Sequence, residues 1–211
     1  VDVQKKYDGG RTFTIDGERV LISRGNKTYP VKHITEELKA MFPSDIMTDG
    51  ELYLHGVPLQ TIMSYIKKSQ IESNDIEYHI YDLPSNKCWA ERKALLNTFK
   101  SSGHIKIVET FTANNMEELV ALHDKFVADG FEGAILRIND PNVGYEFGKR
   151  SALLLKWKMF EDAEFEIIGI ETGTGKYSET PIFICKNDKY DNTFKVVPKG
   201  TMEEKKAMFT N

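Results

Sequence analysis

The sequence has few cysteines, no long apolar run and no excess of positive charge. Cys88 and Cys185 lie far apart and in no metal-ligand spacing, which predicts two reduced thiols in a cytosolic or nuclear-type compartment. No window approaches the roughly 18 apolar residues of a membrane span, and no signal peptide is visible. Because the net charge is −4, a nucleic-acid-binding protein with this composition must concentrate its positive charge locally.

What the sequence does contain is enough apolar and aromatic residues, 40% and 11%, for a packed globule. Its 211 residues suit one large domain, or a large one followed by a small one. It begins with Val1 rather than Met, so we expect the natural N-terminus to lie upstream. No internal repeat or low-complexity tract occurs.

Apolar periodicity predicts the elements of a mixed fold. Residues 1–5, 11–15 and 19–23 predict an opening antiparallel meander, with a hairpin turn at Asp16-Gly17. Further strands are predicted at 51–54, 76–83, 131–138, 153–158 and 164–170, with a hairpin around 188–192. Helices are predicted at 35–42, 58–68, 89–99, 115–130 and from Thr201, where Glu204 completes a capping box. The sequence pattern changes after Lys158, which predicts a domain boundary near Glu161-Asp162.

The helix after Asn115 contains a histidine in its apolar stripe. Asn115 and Glu118 have capping-box spacing, and Gly130 is expected to end the helix. The predicted stripe consists of Met116, Leu119, Val120, His123 and Val127. We therefore expect His123 to be a half-buried structural residue rather than a metal ligand.

Two adjacent lysines end the first predicted strand, just before the turn Tyr7-Asp8-Gly9-Gly10. Successive side chains of a strand point to opposite faces, so Lys6 shares the polar face with Asp2 and Gln4. Lys5 shares the other face with the valines. We therefore expect only Lys6 to enter a pocket, and the glycines let the backbone of the turn approach whatever Lys6 touches.

Later segments place further charged residues on predicted strands. Asp49 and Glu51 form an acid pair, and Glu132 begins another strand. Lys156 and Lys158 lie two apart and hence side by side on one face, where they repel each other unless an anion such as phosphate lies between them. A charged strand edge would explain each segment alone. Their combination predicts a phosphate-handling site.

Six motifs follow one another along the chain. They are Lys6-Tyr7-Asp8-Gly9-Gly10-Arg11, Ser23-Arg24-Gly25, Asp49-Gly50-Glu51-Leu52, Tyr78-His79-Ile80-Tyr81-Asp82, Glu132-Gly133-Ala134-Ile135-Leu136-Arg137 and Leu154-Leu155-Lys156-Trp157-Lys158. In this order they resemble the nucleotidyltransferase motifs of ATP-dependent DNA ligases, most closely the small viral and phage-type enzymes. The resemblance implies an α+β fold: a nucleotidyltransferase domain of ATP-grasp-like antiparallel sheets with flanking helices (1–161), then a partial OB-fold β-barrel domain (162–211).

The resemblance also implies roles for individual residues. Lys6, two residues before Asp8, matches the nucleophile that becomes lysyl-AMP, with Lys156 and Lys158 as catalytic cations. Lysine normally stays protonated up to a pKa of about 10.4, and neighbouring cations favour the neutral nucleophile. The implied ATP- and AMP-binding residues are Gln4, Lys6, Arg11, Arg24, Glu51, Tyr81 (stacking on adenine), Ile135 (opposite Tyr81), Lys156 and Lys158. Glu132 and Glu51 are implied for Mg²⁺, and Arg24, Lys149 and Arg150 for DNA.

The implied reaction has three steps: AMP passes from ATP to Lys6, then to the 5′-phosphate at a nick in duplex DNA, and the 3′-hydroxyl then expels AMP and seals the strand. The cofactors would be ATP and Mg²⁺, and the partner nicked duplex DNA, in replication, repair and recombination. We expect a monomer with no membrane partner, located in the cytoplasm, or in that of the host cell for a viral or phage enzyme.

Three alternatives remain at this point: a messenger-RNA capping guanylyltransferase, an RNA ligase and a catalytically inactive DNA-binding relative. The first two share the lysine motif, but the segment Glu132–Arg137 favours a DNA ligase, and every catalytic position that can be checked is filled. The second domain departs from the family, because an OB-fold has five strands and here three strands and a helix are predicted. The family's terminal basic motif has no counterpart, and we expect this domain to be incomplete and the upstream strands to be missing.

Overall fold

The computed structural model describes residues 1–15, 20–23, 25–158 and 163–209, with the backbone alone for Lys176. The chain divides into two compact units, Val1–Met159 and Phe160–Asn211. The boundary expected near Glu161 and Asp162 lies outside the described residues. Within the described ranges, no helix combines the length and apolar character that crossing a membrane requires.

The first unit contains two β-sheets and the helices that cover them. Its strands are β1 (Asp2–Lys6), β2 (Gly10–Thr14), β3 (Leu21–Ser23), β4 (Asp49–Tyr53), β5 (Glu77–Asp82), β6 (Ile105–Ile107), β7 (Phe111–Thr112), β8 (Gly133–Arg137) and β9 (Leu154–Lys158). Its helices are α1 (Lys32–Met41), α2 (Leu59–Lys67), α3 (Trp89–Leu96) and α4 (Met116–Ala128), with a 3₁₀ turn at Ile71–Asp75. The sequence does not predict β6 and β7, which are only three and two residues long.

The predicted opening meander is wrong in its pairing. In the four-stranded sheet the order is β7-β1-β8-β9, and in the five-stranded sheet it is β3-β2-β4-β5-β6. Only β2 and β3 form the expected antiparallel pair, whose turn at Asp16-Gly17 lies outside the described residues. The segment Gly9-Gly10 instead takes the chain from one sheet to the other. β1 pairs with distant β8, since that register places Val3 beside Leu136 in a common core.

Each sheet packs its apolar face against helices. Val3 and Ala134 of the four-stranded sheet are fully buried in a cluster that includes Leu119 and Phe126 of α4. The core of the five-stranded sheet includes the buried residues of α1 and α2, namely Ile34, Leu38, Ile62 and Ile66. The polar face of β1, which carries Lys6, is therefore left for other contacts.

The predicted stripe of α4 is partly wrong. The helix buries Leu119, His123 and Phe126, whereas Met116, Val120 and Val127 of the predicted stripe are exposed. His123 is buried rather than half-buried, and its ring stacks on Trp157 with centroids 4.5 Å apart. The side chain of Asn115 caps the helix by accepting from the N–H of Glu118 at 2.8 Å, as the spacing predicts.

A buried polar network joins the two sheets. Arg137 on β8 donates to Gln4 on β1 at 2.7 Å and to Asp82 on β5 at 2.6 Å. Asp82 also accepts from Arg92 of α3 at 2.7 Å. Gln4 donates to the carbonyl of Tyr81 at 3.2 Å. Because these groups are buried and hydrogen-bonded, they fix β1 and β8 relative to β5.

The second unit is a small sheet followed by a helix. Its strands β10 (Ile167–Thr172), β11 (Pro181–Lys186) and β12 (Thr193–Val196) form an antiparallel sheet in chain order, with a 3₁₀ turn at Gly175–Tyr177. The predicted hairpin between β11 and β12 is confirmed. Helix α5 (Met202–Ala207) begins at the predicted capping box of Thr201 and Glu204.

Candidate active site

Lys6 lies at the end of β1 on the polar face of the four-stranded sheet. Its register partner on β8 is Gly133, which in turn lies opposite Lys158 on β9. Glu132 occupies the space beside the glycine: its carboxylate forms an ion pair with Lys6 and lies 3.2 Å from the ammonium of Lys158. Lys5 points the other way, with its ammonium 4.6 Å from the ring centroid of Phe131. The prediction that the two lysines occupy opposite faces is confirmed.

Gly133 is required by this arrangement. Its φ of +145° lies in the region that favours glycine, and an added Cβ would lie 2.3 Å from the carbonyl oxygen of Trp157. Gly133 therefore lets the backbone of β8 approach that of β9 closely, at the register position that Lys6 and Lys158 flank.

Glu51 on β4 belongs to the same site. Burial raises its pKa to about 8; the charge of Asp49 adds to this, while Lys6 and Arg11 oppose it. The backbone of Gly9 in the turn after β1 also hydrogen-bonds to Glu51. At neutral pH the carboxyl is therefore mostly protonated in the protein alone, and a cation or a hydrogen-bonding ligand would change its state.

Glu132 has the opposite electrostatic character. Burial acts to raise its pKa, but hydrogen bonds and charge from Lys6 and Lys158 outweigh burial and lower it. Within the described ranges, no cluster of three or more potential protein metal ligands occurs. Two carboxyl groups fit Mg²⁺, which keeps several waters and accepts substrate phosphate oxygens as ligands.

Arg11 and Asp49 form the centre of a second cluster. The buried carboxylate of Asp49 accepts from Arg11 at 3.1 and 2.9 Å, through Nε and Nη2. It also accepts from the hydroxyl of Tyr81 at 3.2 Å and from that of Tyr145 at 2.6 Å. Sequence reasoning did not identify Tyr145; its only signal was the run Tyr145-Glu146-Phe147, two aromatic residues in an otherwise polar loop.

A cavity of about 820 Å³ adjoins this second cluster. Its lining includes Arg11, Tyr145, Lys149, Arg150 and Lys156, with Lys149 and Arg150 exposed. The sequence-predicted cations are thus partly brought together here. Arg24 lies outside the described residues.

The remaining predicted residues, Ile135 and Gln4, lie on β8 and β1. Ile135 is in register with Gln4 and Lys156, so it shares the face that carries Lys6. The side chain of Gln4 is buried, and its bonds to Tyr81, Thr110 and Arg137 make it a support for β5. Sequence reasoning also missed the network around Asp82, because its contacts join distant segments.

Comparison with known proteins identifies the family. Residues 1–158 match the model of the ATP-dependent DNA ligase domain. A DNA ligase of African swine fever virus (isolate Tick/South Africa/Pretoriuskop Pr4/1996) is 32% identical over 231 residues, which covers 98% of this chain and 53% of the relative. This chain belongs to the ATP-dependent DNA ligase family. It spans about half the length of the viral relatives it matches. A DNA ligase 1 of Methanosarcina acetivorans is 28% identical over 204 residues, covering 76% of this chain and 35% of that protein.

Solved structures of DNA ligases share the fold. A structure from an analysis of Lig E DNA ligases has a TM-score of 0.79 at 22% identity, and the match covers 98% of this chain and 80% of that one. A Chlorella virus DNA ligase-adenylate has a TM-score of 0.61 at 21% identity, covering 100% of this chain and 80% of that one. The predicted α+β architecture of antiparallel sheets is confirmed at this level.

Proposed function

We propose that this chain carries the nucleotidyl-transfer site of an ATP-dependent DNA ligase and that Lys6 is its nucleophile. The observation that carries the proposal is the place of the Lys6 ammonium on the polar face of β1, where it shares the carboxylate of Glu132 with Lys158. A purely structural ion pair needs no second cation. A lysine that attacks a phosphate gains from one, because a nearby positive charge favours its neutral form.

In the first step Lys6 Nζ attacks the α-phosphorus of ATP. A P–N bond forms while the bond from that phosphorus to the oxygen bridging to the β-phosphate breaks, and pyrophosphate leaves with the electron pair. The amine gives up its proton to solvent. Before the attack, Glu132 must release Lys6 and the Lys6 ammonium must lose a first proton to solvent, because an ammonium has no lone pair to donate.

We assign the two carboxyl groups different roles. Glu132, held anionic by Lys6 and Lys158, is the metal ligand we propose, and Glu51 is the contact to the ribose and a second carboxyl near the metal. When bound, Mg²⁺ would neutralise negative charge on the phosphate oxygens. Tyr81 is proposed to stack on adenine, with Ile135 on the opposite side.

In the later steps AMP passes to the 5′-phosphate at a nick in duplex DNA, and the 3′-hydroxyl then attacks that phosphorus and expels AMP. Arg11, Lys149 and Arg150 line one cavity and offer the local positive charge that a chain of net charge −4 needs to bind a duplex. We propose the same role for Arg24. The family match does not favour the RNA ligase or guanylyltransferase alternatives.

We further propose that the second unit is the first part of an OB-fold and that the protein acts as a monomer. Support for the OB-fold is the antiparallel sheet β10-β11-β12 in chain order. Such a domain would add contacts to the duplex around the nick.

Covalent labelling tests the proposed function. The protein is incubated with α-labelled ATP or GTP and Mg²⁺, separated on a denaturing gel, and the labelled peptide is mapped. Lys6→Arg should abolish labelling from ATP. Lys5→Arg is the matched control, since the adjacent lysine lies on the other face, and it should label normally.

The same preparations are then given nicked DNA and the corresponding nicked RNA duplex. We expect sealing of the DNA by the wild-type protein and by Lys5→Arg only. Label on Lys5, labelling from GTP in place of ATP, or preference for the RNA duplex would each contradict the proposal.

A further inference from the structure

Tyr145 inserts its phenol into the cluster of Arg11 and Asp49. Its hydroxyl donates to Asp49 at 2.6 Å and accepts from Nη2 of Arg11 at 2.9 Å. Asp49 has only 3% of its side chain exposed, so its carboxylate depends on such partners. Burial, and then the charge of Asp49, raises the pKa of Tyr145, so the hydroxyl keeps the proton that it donates.

The backbone around Tyr145 is also anchored. The N–H of Tyr145 donates to the carbonyl of Ser85 at 2.9 Å. An added Cβ on Gly144 would lie 2.7 Å from the carbonyl oxygen of Asn86, so the two segments are in close contact. The ring of Tyr145 lies 5.5 Å from the guanidinium of Arg92. The hydrogen bond and the packing together anchor the β8–β9 loop (138–153) at Gly144 and Tyr145.

The β8–β9 loop and Arg11 belong to parts of the chain that form different sheets. Arg11 is on β2 of the five-stranded sheet, whereas the loop connects β8 and β9 of the four-stranded sheet and carries Lys149 and Arg150. All three cations line the cavity of about 820 Å³. The hydroxyl of Tyr145 connects the loop to this cluster, because it contacts both Arg11 and the carboxylate of Asp49.

We propose that Tyr145 is a positioning residue whose hydroxyl holds the β8–β9 loop against Arg11, so that Arg11, Lys149 and Arg150 bind one run of DNA backbone phosphates. The inference rests on the proposed function, since it describes how the same site would bind its DNA duplex. Arg11 keeps 41% of its side chain exposed beside the cavity, which leaves it accessible to a phosphate while Asp49 orients it.

The variant Tyr145→Phe separates the hydrogen bond from the packing, because it keeps the ring and removes only the hydroxyl. Phe147→Leu is the converse: it disturbs the ring contact at 4.8 Å and leaves the hydroxyl in place. Tyr65→Phe, a half-buried tyrosine of α2, controls for loss of a phenol elsewhere.

The test is the affinity for a nicked duplex with a 5′-phosphate, measured by fluorescence anisotropy over a series of salt concentrations below the melting temperature of every variant. We expect Tyr145→Phe to bind about 10-fold more weakly, as for a lost hydrogen bond to a charged group. The slope of log K against log salt should become shallower by about 1–2, since each lost phosphate contact removes about 0.9. Phe147→Leu and Tyr65→Phe should keep the wild-type slope.

A double-mutant cycle adds the decisive comparison. Replacing Lys149 and Arg150 by Ala should weaken binding strongly in the wild-type background and much less in the Tyr145→Phe background. Additive effects, an unchanged slope in Tyr145→Phe, or the same loss in Phe147→Leu would overturn the inference. If the wild-type protein forms lysyl-AMP but does not bind the duplex, or forms no lysyl-AMP, the proposed function fails instead and the inference falls with it.

Discussion

Glu51 and Glu132 are chemically identical side chains that the fold holds in different protonation states. Glu51 is partly buried beside Asp49, and burial raises its pKa to about 8, whereas Lys6 and Lys158 keep Glu132 ionised. A site that contains one neutral and one charged carboxyl can bind a hydroxyl group and a cation at once. The difference follows from burial and neighbouring charge, and the sequence shows neither.

The raised pKa of Glu51 predicts a pH dependence of stability. Between the ordinary pKa of about 4.3 and about 8 the folded state holds a proton that the unfolded state releases, so the contribution of Glu51 falls as pH rises. The wild-type unfolding free energy should fall relative to that of Glu51→Gln by up to about 1.4 kcal/mol per pH unit in this window. Urea unfolding without Mg²⁺ at pH 5–8 measures it. If the unfolding free energies of the two proteins changed with pH in parallel, the raised pKa of Glu51 would be contradicted.

Tyr81 offers a second test at this scale. If its ring stacks on adenine, Tyr81→Ala should lose about 1–3 kcal/mol of ATP binding and weaken the sealing of pre-adenylated DNA less. Tyr81→Phe keeps the ring and removes only the hydroxyl bond to Asp49, so it should retain most of the affinity. Equal ATP affinity of Tyr81→Ala and wild type, by calorimetry, would reduce Tyr81 to a packing role.

At the scale of elements, Gly133 joins three strands at the point where the lysines meet. We expect Gly133→Ala to destabilise the protein far more than Gly56→Ala. Both positions have positive φ, +145° and +77°, but a Cβ on Gly56 meets nothing within 4 Å. Gly56→Ala should cost about 1–2 kcal/mol from backbone strain alone. The clash with Trp157 should add about 1–3 kcal/mol at Gly133. If urea titrations gave the same loss of unfolding free energy for both variants, β8 and β9 could move apart to accommodate the added methyl group, and the expectation would be wrong.

Elements differ in how far the sequence predicts them. The alternation of β1 places Lys6 and Lys5 correctly, because a period of two depends on strand geometry alone. The partner of β1 could not be predicted, since Val3 meets Leu136 across more than half of the chain. The contact of Tyr145 with Asp49 is hidden for the same reason. Likewise, Met116 and Val120 of α4 are apolar but exposed, so the apolar pattern predicts the buried face of this helix only in part.

At the scale of the whole molecule, each unit carries one buried free thiol, Cys88 in the first and Cys185 in the second. We expect a chromogenic thiol reagent to label Cys185 before Cys88. The second unit exposes more than half of Ile167, Ile168 and Ile170, and so has little apolar burial to oppose local opening. Each of the variants Cys88→Ser and Cys185→Ser leaves one thiol, so the labelling rate of each variant assigns the fast and slow phases of the wild-type reaction. Faster reaction at Cys88 would mean that the first unit opens first.

The pairing of β1 between β7 and β8 also constrains synthesis of the protein on the ribosome. β1 precedes every other described strand, yet both of its neighbours are made more than a hundred residues later. The five-stranded sheet has all its strands by Ile107, so it can assemble while the four-stranded sheet still waits for β8 and β9. An emerging chain therefore exposes Lys6 on an unpaired strand. The two lysines and Glu132 meet only after residue 158 has left the exit tunnel, so no shorter nascent chain has an assembled site.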